Sequence, residues 1–302
     1  VSIRAEILGD WGTSNLRLWL RFGGAVAERR DGRGVGALAA NAAQQLRDLT
    51  AAWREAYDIS VIVLCGMAGA RGGLHETGYV ECPASAADWA GRAARTEIAD
   101  TPVTIGSGLA FRDRDGRDDV MRGEETQVFG ALRLHPELAI GRATMLLPGT
   151  HSKWVTLDGG RVTGLRTFIT GELYALLSRS SLFATGGADE SGHTDEEGFA
   201  QGMAEGRNAP GLTGSLFQAR AGQLRQGRSA AWARSYLSGL LLASEVAQMQ
   251  QLGMLPNQVT MIGAHALCER YRTVLASAGV ATRLLDDEAC TLAGLELILA
   301  HD

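Results

Sequence analysis

Two stretches of this 302-residue chain carry residue types suited to holding a phosphate: Asp10-Trp11-Gly12-Thr13-Ser14-Asn15-Leu16-Arg17 and Pro148-Gly149-Thr150-His151-Ser152-Lys153-Trp154. In each, a short apolar run enters a Gly-Thr-polar-polar turn: Ala5-Glu6-Ile7-Leu8 before the first, Thr144-Met145-Leu146-Leu147 before the second. An alternating segment then leaves the turn for a glycine pair, Gly23-Gly24 or Gly159-Gly160. Successive backbone N–H groups in such a turn form an anion-binding concavity. Gly12 and Gly149 allow close approach, while Thr13, Ser14, Thr150, His151 and Ser152 add polar side chains and Lys153 a cation. Asp10 ends the first strand, where a carboxylate can hold Mg²⁺ through water and so screen phosphate charge. Each feature has a plainer reading taken alone: Asp10 as a turn-initiating Asx residue, each turn as an ordinary hairpin. The recurrence of the pattern is what favours phosphate.

Other stretches supply further chemistry. Arg122-Gly123-Glu124-Glu125-Thr126-Gln127 opens a helix with two acids. These are either partners of the helix dipole or the source of a general base that takes a proton from an attacking hydroxyl. Cys65-Gly66-Met67-Ala68-Gly69-Ala70-Arg71 follows a buried strand, and loops beyond strand ends in α/β folds bind ligands. Gly66 and Met67 are candidate substrate contacts, and Arg71 could clamp a carboxylate with two parallel hydrogen bonds. Ile262-Gly263-Ala264-His265-Ala266-Leu267 ends a strand and opens a helix. Small residues there would admit an adenine ring, or simply satisfy a strand–helix turn. Gly34-Val35-Gly36-Ala37-Leu38-Ala39 resembles a weak dinucleotide fingerprint but trails a third strand instead of the first, so it is set aside. The chain has no Gly-x-x-x-x-Gly-Lys-Ser/Thr loop, no serine elbow and no paired-histidine metal motif.

The elements that must position these residues repeat. Strands are expected at Ala5–Asp10, Asn15–Phe22 and Ala25–Arg30, then a helix over Asn41–Ala56 and a buried strand at Ser60–Cys65. Helices follow at Asp88–Ala99 and Gly123–Leu134, with a strand at Val103–Ile105. The order then restarts with strands Ala143–Leu147, Ser152–Leu157 and Val162–Ile169 and a helix over Thr170–Arg179. A flexible loop, Ala184–Gly192, precedes a helix capped by Thr194 and Glu197. Ala230–Gln251 reads as a long helix, Val259–Ile262 as a strand, and Ala266–Ser277 and Ala289–Ala300 as helices. This predicts an α/β protein of two domains, 1–137 and 138–302, distinct from a βαβ-opened dinucleotide fold.

Composition narrows the partners. The net charge of -5 and the scattered basic residues argue against nucleic acid. No apolar run approaches the length of a membrane span, and no export signal precedes the first strand, so a cytoplasmic location is expected. Cys65, Cys82, Cys268 and Cys290 fit neither a zinc site nor a redox pair. A homodimer is expected only from the general frequency of symmetric assemblies.

The two hairpins, the intervening acid pair and the late Gly-Ala turn resemble the actin-like ATPase superfamily of sugar kinases, Hsp70 and exopolyphosphatases. Within it, Met121–Gln127, Leu147–Trp154 and Thr170-Gly171-Glu172-Leu173 resemble the 2-dehydro-3-deoxygalactonokinase family. The resemblance runs from end to end and implies two RNase H-like domains around a central cleft. It implies ATP-dependent phosphorylation of the 6-hydroxyl of the sugar acid 2-dehydro-3-deoxy-D-galactonate. It places Mg²⁺ at Asp10, phosphates at Gly12–Ser14 and Gly149–Lys153 with Gly171 beside them, and adenine at Gly263, Ala264 and Leu267. Either Glu124 or Glu125 would be the base, Glu125 aligning slightly better with the acid of the exopolyphosphatases. The second turn departs from the superfamily, where Asp often stands in place of Leu147-Pro148, which removes an acidic metal contact. An exopolyphosphatase-like hydrolase and a non-catalytic sensor of sugar acid or nucleotide are the alternative functions.

Overall fold

The structure, a computed structural model, describes residues 3–37, 41–180, 183, 195–208 and 211–301. The first half runs β1 (Arg4–Trp11), β2 (Asn15–Phe22), β3 (Ala25–Arg33), α1 (Ala42–Ala56), β4 (Asp58–Gly66), β5 (Tyr79–Glu81), α2 (Ala86–Ala90), β6 (Ala94–Ile98), β7 (Thr101–Ile105), β8 (Gly108–Arg112), β9 (Asp118–Met121) and α3 (Glu124–Leu134). The second runs β10 (Arg142–Leu147), β11 (Ser152–Asp158), β12 (Arg161–Phe168), α4 (Thr170–Leu177), α5 (Glu196–Asn208), α6 (Leu212–Gln226), α7 (Ala230–Gln251), β13 (Gln258–Ile262), α8 (His265–Ser277), β14 (Ala281–Leu285) and α9 (Asp287–Leu299).

The repeat is visible in the sheets. One has the order β3-β2-β1-β4-β7-β6, the other β12-β11-β10-β13-β14. In both, the opening strand is flanked by the second strand of its hairpin and by a parallel strand that arrives later: β1 pairs β4 and β10 pairs β13. Ile7, Leu8, Leu18 and Leu20 of the first hairpin and the Val61–Leu64 run of β4 are buried, as a sheet covered on both faces requires. A small third sheet, β5-β8-β9, is inserted before α3.

Contacts divide the chain into two compact units, residues 1–143 with 155–166 and 285–302, and residues 144–154 with 167–284. In the first, α3 crosses α9 at backbone distance. A β-carbon on Gly130 would lie 1.8 Å from the Cys290 carbonyl oxygen, and one on Gly294 would lie 2.0 Å from that of Thr126. The C-terminal helix, placed with the second half by chain order, thus packs beneath the helix that carries Glu124 and Glu125. In the second unit, α5 meets α7 in the same way, with Gly198, Gly202 and Gly206 against the α7 backbone.

One local expectation changes. The helix expected over Asp88–Ala99 stops early: α2 ends at Ala90, and Ala94–Ile98 pairs antiparallel with β7 instead. Thr96 and Ile98 are β-branched, and Ala99 and Asp100 take positive φ in the connecting turn, so hairpin pairing outweighs the alanine-rich composition. Residues 113–117 form the turn before β9, in which Asp113 Oδ1 accepts from the Asp115 and Arg117 amides, each at 2.9 Å. Helix α6 and strand β14 are additional elements. The loop Ala184–Gly192 and the cap residue Thr194 lie outside the described residues, and Asp195 Oδ1 accepts from the Gly198 amide at the start of α5.

Replacing Gly294 by Ala would force α9 away from α3, and overpacking of this kind costs about 1–3 kcal/mol. Denaturant unfolding of G294A should show that loss; stability equal to wild type would mean the crossing is looser than described.

Candidate active site

In the first unit, the ends of three elements gather around Asp10. Asp10 closes β1, opposite Arg17 of β2 and Cys65 of β4. Its Oδ2 accepts from Arg17 Nη2 at 2.8 Å, and Cys65 Sγ lies 3.5 Å from Oδ1. Arg17 Nη1 reaches Asp287 at the start of α9, also at 2.8 Å. Burial would lower the Arg17 pKa, but the two carboxylates overcome it and raise the value overall. Burial, with Asp10 and Glu125 nearby, pushes the Cys65 thiol well up, so it stays protonated.

The exposed tip Thr13-Ser14 is built from behind. Gly34 N–H donates to Ser14 O at 2.9 Å, Val35 N–H to Gly12 O at 3.1 Å and Gly36 N–H to Thr13 O at 3.1 Å. A β-carbon on Gly34 would sit 2.2 Å from Thr13 O. The glycine pair that looks like a dinucleotide fingerprint is therefore the support of the first turn.

The start of α3 is tied to the same place. Gly66 has φ 73° and Gly123 φ 111°; a β-carbon on Gly123 would lie 3.2 Å from Gly66 Cα, and one on Gly66 only 2.6 Å from Trp11 O. Both positions need positive φ and close approach, which glycine alone provides cheaply. The two acids then separate. Glu125 is fully buried, with both carboxylate oxygens 2.8–2.9 Å from the Gly123 amide. Burial first, and Glu124 second, push its pKa up to about 8. Glu124 is half-buried and accepts from the Arg122 amide at 3.2 Å. Arg122 lies over the Tyr79 ring and donates to Thr77 O at 2.9 Å, anchoring the loop that leads from the end of β4 to β5. In that loop Gly66 is buried, Met67 half-buried and Arg71 exposed.

The second unit has its own tip and its own support. Thr150 and His151 are exposed, and His151 Nε2 is 2.7 Å from Glu172. Gly171 backs this turn as Gly34 backs the first: a β-carbon on it would lie 2.2 Å from Gly149 O, and Glu172 N–H donates to Thr150 O at 2.9 Å. Two expected ligand contacts point elsewhere. Ser152 is fully buried and donates to Glu245 at 2.7 Å, so its hydroxyl is committed to the interior. Lys153 is buried and donates to Thr167 Oγ1 at 2.9 Å. The two side chains leave opposite faces of β11, and both are buried because this strand is covered on both faces.

Beside the tip lies a cavity of about 580 Å³ lined by Gly149, Thr150, Thr170, Gly171, Tyr174, Arg234, Leu267, Arg270 and Tyr271 among others. That volume suits a small molecule. Leu267 lines it as expected. Gly263 packs on the Pro148 carbonyl, and Ala264 accepts the first amide bonds of α8, so these two shape the entrance to the helix and are not among the lining residues. Arg270 is held by Glu196 at 2.8 and 3.0 Å and lies over the Phe199 ring.

Sequence reasoning missed Glu245. It is 1% exposed on α7 and accepts from Ser152 Oγ, Trp154 Nε1, Thr170 Oγ1 and Tyr271 OH. Burial raises its pKa against the pull of those four donors. A signal did exist: a lone acid inside Leu240-Leu241-Leu242-Ala243-Ser244-Glu245-Val246.

Comparisons with known proteins agree along the whole chain. The family model described as 2-keto-3-deoxy-galactonokinase matches residues 10–298. A Rhizobium meliloti (strain 1021) protein named as a probable 2-dehydro-3-deoxygalactonokinase is 40% identical over 95% of this chain and 94% of its own. The 2-dehydro-3-deoxygalactonokinase of Escherichia coli (strain K12) is 32% identical over 97% of this chain and 96% of its own. A Sinorhizobium meliloti protein of solved structure superposes with a TM-score of 0.88 at 38% identity, covering 97% of this chain and 95% of its own. Component A of an Acidaminococcus fermentans (R)-2-hydroxyglutaryl-CoA dehydratase reaches 0.52 at 11% identity over 99% of both chains, a likeness of fold alone. Among the described residues no helix is long and apolar enough to cross a membrane.

The raised pKa of Glu125 has a measurable consequence. Between its ordinary 4.5 and about 8 the native state holds a proton that the unfolded chain releases, so its contribution to stability declines as pH rises through that window. Glu125→Gln removes this decline. Compared by denaturant unfolding at about pH 5 and about pH 8, the variant should gain on wild type at the higher pH. An equal difference at both would show that Glu125 is ionised in the native protein throughout.

Proposed function

The chain belongs to the 2-keto-3-deoxy-galactonokinase family, and we propose that it transfers the γ-phosphoryl group of ATP to the 6-hydroxyl of 2-dehydro-3-deoxy-D-galactonate during galactonate breakdown. The observation that carries this reading is the match of one sugar-acid kinase family over residues 10–298. The supported glycine turns at Gly12–Ser14 and Gly149–His151 are consistent with it.

In this reading the cavity of the second unit takes the adenosine of ATP against Tyr174, Leu267 and Tyr271. The turn Gly149–His151 takes phosphate oxygens through backbone amides, whose fixed dipoles stabilise charge without reorganising. In the first unit, Gly12–Ser14 offers the same kind of contact, and Arg71 is the proposed clamp for the sugar-acid carboxylate. Glu124, the accessible member of the acid pair, accepts the proton of the attacking hydroxyl. Glu125, buried behind it, holds the Gly123 amide and so fixes where Glu124 stands.

Mg²⁺ fits this set as an ion carried in by phosphate. Asp10 Oδ2 is taken by Arg17, Oδ1 meets the Cys65 thiol, and among the described residues no group of three His, Cys, Asp or Glu side chains could cage a metal. Mg²⁺ usually keeps several waters and binds one or two carboxylates plus substrate phosphates. Asp10 would hold it through water, and the ion would neutralise charge on the transferring group. A cytoplasmic homodimer is the proposed working form.

A coupled ADP-release assay with ATP, Mg²⁺ and a panel of 2-keto-3-deoxy sugar acids tests the reading. ADP should form with the galactonate derivative and not without sugar; phosphate release without any acceptor would mark a hydrolase instead. Asp10→Ala should abolish turnover. Glu124→Gln should lower kcat by about a hundredfold or more, the usual worth of a general base, while Glu125→Gln retains more. The reverse order would make Glu125 the base.

A further inference from the structure

Glu245 is a buried carboxylate that the phosphoryl transfer does not use, yet its four partners come from three elements of the second unit, β11, α4 and α8. Ser152 follows the exposed turn, at 2.7 Å; Trp154 Nε1 lies on β11, also at 2.7 Å; Tyr271 OH belongs to α8, at 2.8 Å; Thr170 Oγ1 stands at the start of α4. Thr170 and Tyr271 also line the cavity. A tie that served packing alone would have no reason to end on cavity-lining hydroxyls.

We propose that Glu245 is a positioning residue for nucleotide binding, which rests on the reading of that cavity as the ATP site. The carboxyl group of Glu245 accepts from Trp154 Nε1, which can only donate, and from the hydroxyls of Ser152, Thr170 and Tyr271. In this geometry the three hydroxyls point their protons at Glu245. Two results follow. The turn Gly149–His151 is held to α4, α7 and α8 through Ser152 and Thr170, so its amides keep one orientation. Thr170 and Tyr271 line the cavity with their protons turned to Glu245, so where their oxygens meet a ligand they accept from its N–H and O–H groups, such as those of an adenine or a ribose. The phosphates are left to the backbone amides of the turn.

Glu245→Gln tests this with little change in volume. The new amide N–H₂ must face one or more of the hydroxyls, which turns them into acceptors and reverses the polarity they show the ligand. Binding would be measured by calorimetry on the full chain, with a non-hydrolysable ATP analogue plus Mg²⁺, and separately with the sugar acid. The nucleotide Kd should rise by about fivefold or more, the loss expected for disturbed hydrogen bonds in a site, while the sugar-acid Kd holds and the thermal midpoint shows a folded protein. A smaller change in nucleotide Kd, or equal losses for both ligands, overturns the proposal. If Glu245→Gln does not fold, Ser152→Ala, which removes one of the four bonds, is judged by the same criterion. Failure of the wild type to bind nucleotide would overturn the ATP-site reading itself, and this proposal with it.

Discussion

A phosphate-binding turn must be exposed to its ligand and yet rigid, and both tips of this protein meet that demand through glycine contacts made from behind. Gly34 stands against Thr13 and Ser14, Gly171 against Gly149 and Thr150, at distances no side chain could share. In each case the supporting segment is the one that leaves the third strand of the hairpin unit: the turn after β3 in the first, the start of α4 after β12 in the second. The carbonyls of the tips are engaged by that segment, through Gly34, Val35 and Gly36 N–H in one and Glu172 N–H in the other. The remaining features are arranged around these supports.

Two buried carboxylates show how differently one residue type can be employed. Glu125 has the Gly123 amide at both oxygens and remains strongly desolvated, so its proton is retained to about pH 8. Glu245 has four donors, which oppose the same burial. Desolvation of a carboxylate is tolerated when hydrogen bonds satisfy its oxygens. Arg17, shared between Asp10 and Asp287, adds a third arrangement, in which the start of the C-terminal helix steadies the residue proposed to organise the metal.

Much of this was legible in the residues because hairpins and glycine turns are local. The strands around both tips and the long helix Ala230–Gln251 follow from alternation and periodicity, and the twin order of the sheets follows from the repeated pattern. What could not be read is what depends on distant partners. Asp88–Ala99 has helical composition, yet Ala94–Ile98 finds a strand to pair with. Ser152 and Lys153 have phosphate-binding chemistry, but both faces of their strand are covered, so both are buried. Glu245 lies 93 residues from Ser152, and no local rule connects them. Gly34 resembles part of a fingerprint out of place, and its place after the third strand is what gives it a role.

The family assignment and the supported turns lead to one chemical claim, that a sugar-acid hydroxyl receives the phosphoryl group. The most direct test is proton-coupled ³¹P NMR of the product formed from ATP and 2-dehydro-3-deoxy-D-galactonate. Transfer to the 6-hydroxyl gives a new phosphomonoester signal split by the two protons of the C6 methylene. An inorganic phosphate singlet as the sole new product, or a phosphoester coupled to a single methine proton, would contradict it.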